Sequence, residues 1–159
     1  MIAVLQRVKR AAVVVEGETV GACEKGLCIL LGVAKGDTEE DARALAQKTV
    51  DLRIFTDEND KMNLTLKDVD GEALVVSNFT LLASYKKGKR PDYFGAAAPD
   101  EANRLYEYFC SLIDAEIKQV GRGVFGADME ITMVNDGPVT IVMDSNVLLK
   151  KKTIDGEVK

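Results

Sequence analysis

Three runs rich in β-branched residues precede the first helical repeat of this chain, and two more follow the second. That order is the strongest constraint on its fold. A doubly wound sheet alternates strand and helix, whereas consecutive strands pair with each other and leave the helices to gather on one side, so a mixed α+β domain with a mostly antiparallel sheet is expected. The first runs are residues 3–8, 11–16 and 26–33, with turn chemistry at Glu16-Gly17-Glu18-Thr19. Thr38-Glu39-Glu40-Asp41 resembles a capping box and opens a helix over about 38–53. Residues 55–71 are turn-rich around a weak strand, and Ala73-Leu74-Val75-Val76-Ser77 reads as a short strand buried on both faces. Pro99 suits the first position of a second helix, which carries Leu105, Tyr106, Phe109 and Ile113 on one stripe and ends before Gly121. Strands over 129–134 and 139–143 close the order, joined across Asn135-Asp136-Gly137-Pro138.

The chemistry open to the chain is narrowed by what it lacks: among 159 residues there is no histidine. Ser-His-Asp and Cys-His relays and imidazole metal sites are therefore excluded, and no metal or cofactor is expected. Cys23, Cys28 and Cys110 form no CxxC pair, which fits a reducing compartment; Cys28 and Cys110 read as core packing. No apolar run approaches the length of a membrane span, and the polar start is unlike a signal peptide, so a cytoplasmic protein with no membrane contact is expected. The length suits a single domain, expected over 1–147, followed by a lysine-rich tail over 148–159.

Net charge is −5, yet Lys86, Lys87, Lys89 and Arg90 crowd into one segment of a long loop over 83–98, and Lys150, Lys151 and Lys152 into another. Such a patch is either a solvated loop or a local meeting point for a phosphate backbone. Two further segments invite a functional reading. At Ser77-Asn78-Phe79-Thr80-Leu81 a buried strand runs into hydroxyl and amide side chains, which either line a pocket or bond to nearby backbone. At Asn135-Asp136-Gly137-Pro138-Val139-Thr140 a Gly-Pro step either turns a hairpin or presents two carbonyls to whatever approaches.

Together these two segments resemble the D-aminoacyl-tRNA deacylases of the bacterial and eukaryotic type. The resemblance spans nearly the whole chain, through Gln6-Arg7-Val8, Leu31-Gly32-Val33, Arg53-Ile54-Phe55, Lys61-Met62-Asn63, Arg90-Pro91 and Phe125-Gly126-Ala127-Asp128-Met129. The family's Ser-Gln-Phe-Thr-Leu motif stands at Ser77 to Leu81 with Asn78 in place of glutamine, and its Asn-x-Gly-Pro-Val-Thr motif is complete from Asn135. The resemblance implies barrel-like sheet layers and a homodimer whose Gly137-Pro138 step, with a cis peptide, enters the partner's pocket beside Ser77 and Asn78. It implies an ester hydrolase acting on D-aminoacyl-tRNA, or on glycine mischarged to the alanine tRNA, at the aminoacylated 3′ end. The Gly137 and Pro138 carbonyls would hold the substrate's amino group and so reject L-amino acids, with Arg7 fixing their loop. Phe79 and Thr80 would supply oxyanion-binding amides, with the ribose 2′-hydroxyl assisting. The Thr80 hydroxyl as a nucleophile ranks lower, because no general base accompanies it. Phe125 either stacks on the adenine or packs in the core, and Tyr85 and Tyr93 are equally open. Lys86, Lys87, Lys89 and Arg90 would meet tRNA phosphates. The alternative is an RNA 3′-end binding protein of the same fold without catalysis.

Overall fold

A computed structural model describes residues 1–149. The element order is β1 (Ile2–Val15), β2 (Glu18–Cys23), β3 (Gly26–Gly32), α1 (Glu39–Asp51), β4 (Phe55–Thr56), β5 (Met62–Leu64), β6 (Glu72–Ser77), a 3-10 turn (Phe79–Leu82), α2 (Pro99–Asp114), β7 (Val120–Arg122), β8 (Glu130–Asp144) and α3 (Ser145–Leu149). The main sheet runs β2-β1-β3-β6-β7, with β8 also paired to β1. The β1 pairings with β2, β3 and β8 are antiparallel, and those of β6 with β3 and β7 are parallel. The expected mixed fold with helices on one side is observed. The tail expected over 148–159 begins inside α3, and Lys150, Lys151 and Lys152 lie outside the described residues.

The sheet curls until its two ends nearly meet. A Cβ added to Gly21 on β2 would lie 2.3 Å from the Arg122 carbonyl oxygen on β7, and one added to Gly121 would lie 2.4 Å from that of Ala22. The two glycines let backbone approach backbone and bring the sheet close to closure as a barrel. Gly21→Ala or Gly121→Ala should therefore destabilise the protein by about 1–3 kcal/mol, since the obstructing atoms are main chain and cannot turn aside. Urea unfolding measures it, and an unchanged midpoint would refute the account.

Two apolar clusters follow. Val8, Val13, Cys23, Cys28, Leu74 and Val76 pack together in one. Leu5, Leu27, Ile29, Leu31 and Val75 pack with Leu45, Leu105, Tyr106 and Phe109 of the helices in the other. β3 and β6 are nearly continuous apolar runs because both faces are covered. At one edge of the fold the Met1 ammonium donates to Ser145 Oγ at 2.9 Å and lies 2.7 Å from Asp37, while Ser145 Oγ donates to Asp41 at 2.7 Å. These bonds join the starts of β1, α1 and α3.

The structure corrects several local expectations. Residues 3–8 and 11–15 belong to the one strand β1, with Glu16 in the turn that follows, because exposed Lys9 and Arg10 sit at an irregularity in the β1–β8 register rather than at a break. The turn at Glu16-Gly17, both with positive φ, is a two-residue hairpin leading at once into β2, which glycine and exposed side chains disguise. β8 runs unbroken through Asn135-Asp136-Gly137-Pro138, and α2 ends at Asp114. The 83–98 loop is pinned at two places: Ser84 and Asp92 exchange backbone hydrogen bonds of 2.8 and 3.0 Å, and Ala97 donates to the Val33 carbonyl at 2.9 Å.

Candidate active site

A cavity of about 480 Å³ opens where β6 ends. Ser77 closes the strand, the Asn78 N–H donates to the Leu31 carbonyl at 2.8 Å, and the chain then winds into the turn Phe79–Leu82. Phe79 and Thr80 open that turn, so their N–H groups have no acceptor within it. Both line the cavity with Ser77, Asn78 and Phe125, against apolar walls that include Val76, Met129 and Ile131. Five residues singled out in the sequence are thus brought together.

The Thr80 hydroxyl donates to Asn78 Oδ1 at 2.5 Å. Asparagine at position 78 is therefore engaged locally, and an amide oxygen is not a base that would activate Thr80. The Phe125 ring packs 6.3 Å from that of Tyr106 and also forms part of the cavity wall, so it touches both the core and the cavity. Tyr106, whose hydroxyl donates to the Val75 carbonyl at 2.8 Å, has its pKa raised by burial. It is a support of the site, legible in the sequence only as one member of a helical stripe. Phe94, 79% exposed, had no sequence signal to mark it.

Gly137, Pro138 and Arg7 do not line this cavity. On β3, Leu27 pairs with Arg7 and Leu31 with Ser77, a separation along the strand of about 13 Å. The Gly137–Pro138 peptide is cis, and both residues are exposed. Gly137 has φ +149°, and a Cβ there would meet the Val139 nitrogen at 2.5 Å, so only glycine suits the position. A side-chain scaffold holds this part of β8. Arg7 donates from Nε to the Asp136 carbonyl at 2.9 Å and from Nη1 to the Ile54 carbonyl at 2.8 Å and Thr56 Oγ1 at 3.3 Å. Asn135 Nδ2 donates to Gln6 Oε1, the Arg7 carbonyl and the Val139 carbonyl, and the Thr140 hydroxyl donates to Gln6 Oε1 at 2.6 Å.

Lys86, Lys87, Lys89 and Arg90 are exposed at the tip of the pinned loop and form no ion pair with a described residue. The cysteines are buried and free. Burial pushes Cys23 and Cys110 up to about 12 and Cys28 to about 11, so all three act as packing. Two results follow. Iodoacetamide at pH 8 should leave the folded protein unmodified and label it after unfolding. Thiols in the unfolded chain ionise from their ordinary 9.0 upward while the folded ones stay protonated, so this contribution to stability is complete below pH 9 and lost as pH rises towards 11–12. A midpoint that does not fall between pH 8 and 10.5 would contradict the assignment.

Comparison with known proteins sharpens the reading. A family model described as D-Tyr-tRNA(Tyr) deacylase matches residues 4–144. The D-aminoacyl-tRNA deacylase of Caldicellulosiruptor saccharolyticus is 58% identical over 145 residues, covering 91% of this chain and 97% of that one. The enzyme of the same name from Thermosipho africanus is 54% identical over the same coverage. Among solved structures, the c-Myc DNA unwinding element binding protein superposes with a TM-score of 0.82 at 37% identity, covering 91% of this chain and 98% of that one. A probable eukaryotic D-amino acid tRNA deacylase shares the fold at a TM-score of 0.75 and 18% identity, covering 89% and 97%. The class is that of the hydrolases. Within it, this chain belongs to the D-Tyr-tRNA(Tyr) deacylase family.

Proposed function

We propose that the protein hydrolyses the ester joining a D-amino acid to the terminal adenosine of tRNA, and likewise glycine mischarged on the alanine tRNA, and that it rejects L-aminoacyl esters. The observation that carries this reading is the cavity itself, whose rim is a turn opening with two amides that have no acceptor within it, Phe79 and Thr80. Water attacks the ester carbonyl, and the oxyanion that forms is held by these N–H groups. Collapse of the tetrahedral intermediate expels the ribose 3′-oxygen. The neighbouring 2′-hydroxyl relays the proton from the attacking water to that leaving oxygen, so the RNA takes part in the proton transfer in place of an imidazole.

The protein works in this reading as a cytoplasmic homodimer. Gly137 and Pro138 are exposed and outside their own chain's cavity, which supports their entering a partner's, where their carbonyls hold the substrate's amino group and an L side chain collides with the wall. Phe125 and the apolar walls receive the adenosine, while Ser77 and Asn78 line the site beside it. Lys86, Lys87, Lys89 and Arg90 meet phosphates of the tRNA backbone. Main-chain recognition leaves the D side chain largely unread, so the range of D-amino acids accepted is wide.

The test is hydrolysis of matched D- and L-tyrosyl-tRNA by the purified protein without added metal. Rapid loss of the D ester alone is expected. A second reading, a 3′-end binding protein without catalysis, draws on the 37% identical relative named for DNA binding; equal persistence of both esters would select it.

A further inference from the structure

We propose that the surface running from Phe79 through the tip of the 83–98 loop to Phe94 is a track for single-stranded RNA, holding the unpaired nucleotides that precede the terminal adenosine. This rests on the reading that an aminoacylated adenosine occupies the cavity. Four aromatic rings stand in the open along one short stretch: Phe79 is 57% exposed, Tyr85 86%, Tyr93 37% and Phe94 79%. The first lies at the cavity rim and meets Tyr93 edge to face, with ring centres 5.0 Å apart. Large apolar side chains gathered in the open signal a missing partner.

The cations between the rings give that partner's chemistry. Lys86, Lys87, Lys89 and Arg90 fall between Tyr85 and Tyr93, on a chain whose net charge is −5. A polyanion is thus repelled by the body of the protein and attracted at this tip. Interleaved rings and cations match the alternating bases and phosphates of an unpaired strand. The track is also built to stay in place. The Ser84–Asp92 hydrogen bonds close the tip at its base, the Phe94 N–H donates to Asp92 Oδ1 at 3.3 Å, and the Lys35 N–H donates to the Gly95 carbonyl at 2.9 Å. Bases have π-faces whatever their identity, so the track reads single-strandedness and continuity with the cavity rather than sequence.

The experiment measures binding of a short, 5′-labelled, uncharged single-stranded RNA by fluorescence anisotropy, beside a blunt duplex of the same sequence. Loss of each ring should weaken single-strand binding about tenfold, so the Tyr85→Ala, Phe94→Ala double variant should lose about a hundredfold, with the unfolding midpoint unchanged. Phe94→Tyr should retain affinity and Phe94→Leu should not, which separates stacking from apolar contact. Replacing all four cations with glutamine should flatten the salt dependence by up to about 2.8 in log–log slope, at about 0.7 for each phosphate neutralised. In catalysis, the double variant should lose most of the preference for D-tyrosyl-tRNA over D-tyrosyl-adenosine, through KM.

Unchanged single-strand affinity in the double variant, or equal loss for the duplex, would overturn the track. A change in oligomeric mass with RNA affinity intact would assign the rings to a protein contact and overturn it too. The uncharged RNA reports on the track whether or not the cavity hydrolyses, so failure of the proposed activity is read separately, from the two tyrosyl esters.

Discussion

A D-aminoacyl-tRNA ending in 2′-deoxyadenosine should be hydrolysed about 10²–10⁴-fold more slowly than its ribose counterpart, the usual range for losing a positioned acid–base group. The cavity has few ionisable side chains among its lining residues: Asp128 and Tyr106, the latter held protonated by burial. The Thr80 hydroxyl faces an amide oxygen that does not take up its proton. Thr80→Ala keeps the main-chain N–H and should therefore cost less than tenfold. Single-turnover rates with both RNAs and both proteins decide the matter. If Thr80→Ala abolishes hydrolysis while the deoxy substrate reacts normally, the reaction runs through the hydroxyl and the RNA-assisted route is wrong.

The second large effect is expected at Arg7, remote from the cavity. Its guanidinium is 8% exposed as a residue and donates to two main-chain carbonyls and a hydroxyl, spanning β4 and the Asp136 segment of β8, with the Asp136 carboxylate 3.6 Å away. Arg7→Ala leaves the Asp136 and Ile54 carbonyls without this donor and should cost about 3–5 kcal/mol in stability. Arg7→Lys preserves charge but not the fork that reaches both carbonyls at once. In that variant the Gly137-Pro138 segment loses a support, so discrimination between D- and L-tyrosyl-tRNA should shrink by tenfold or more while the turn at Phe79–Leu82 is untouched. Full discrimination in a folded Arg7→Lys protein would show that the segment's position does not depend on this side chain.

Much of this was legible because the signals are local. The Pro99 start of α2, the stripe through Leu105, Tyr106 and Phe109, and the doubly buried run of β6 each follow from residue spacing alone. β2 and β7 escaped notice because Gly21 and Gly121 look like breakers in the sequence, whereas in the fold they allow the closest approach of the sheet's two ends. The break expected at Asn135-Asp136-Gly137-Pro138 did not occur because Arg7, Gln6 and Asn135 supply side-chain hydrogen bonds to a stretch poorly served by the ladder. No pattern within 135–138 announces partners that lie about 130 residues away.

The sequence by itself determined the strand or helix character of β1, β3, α1, β6, α2 and β8, the absence of imidazole chemistry and the two motif segments, since these depend on side-chain identity and on spacings of a few residues. Only the tertiary structure decided that Ser77 to Thr80 and Phe125 share one cavity, that Gly137 and Pro138 stand outside it, and that Phe79 at its rim meets Tyr93 of the 83–98 loop. Those relations are set by the register of β1 with β3 and β8 and of β3 with β6, where a shift of a single residue would turn each side chain to the opposite face. Register is fixed by the packing of the whole sheet, and no short segment encodes it.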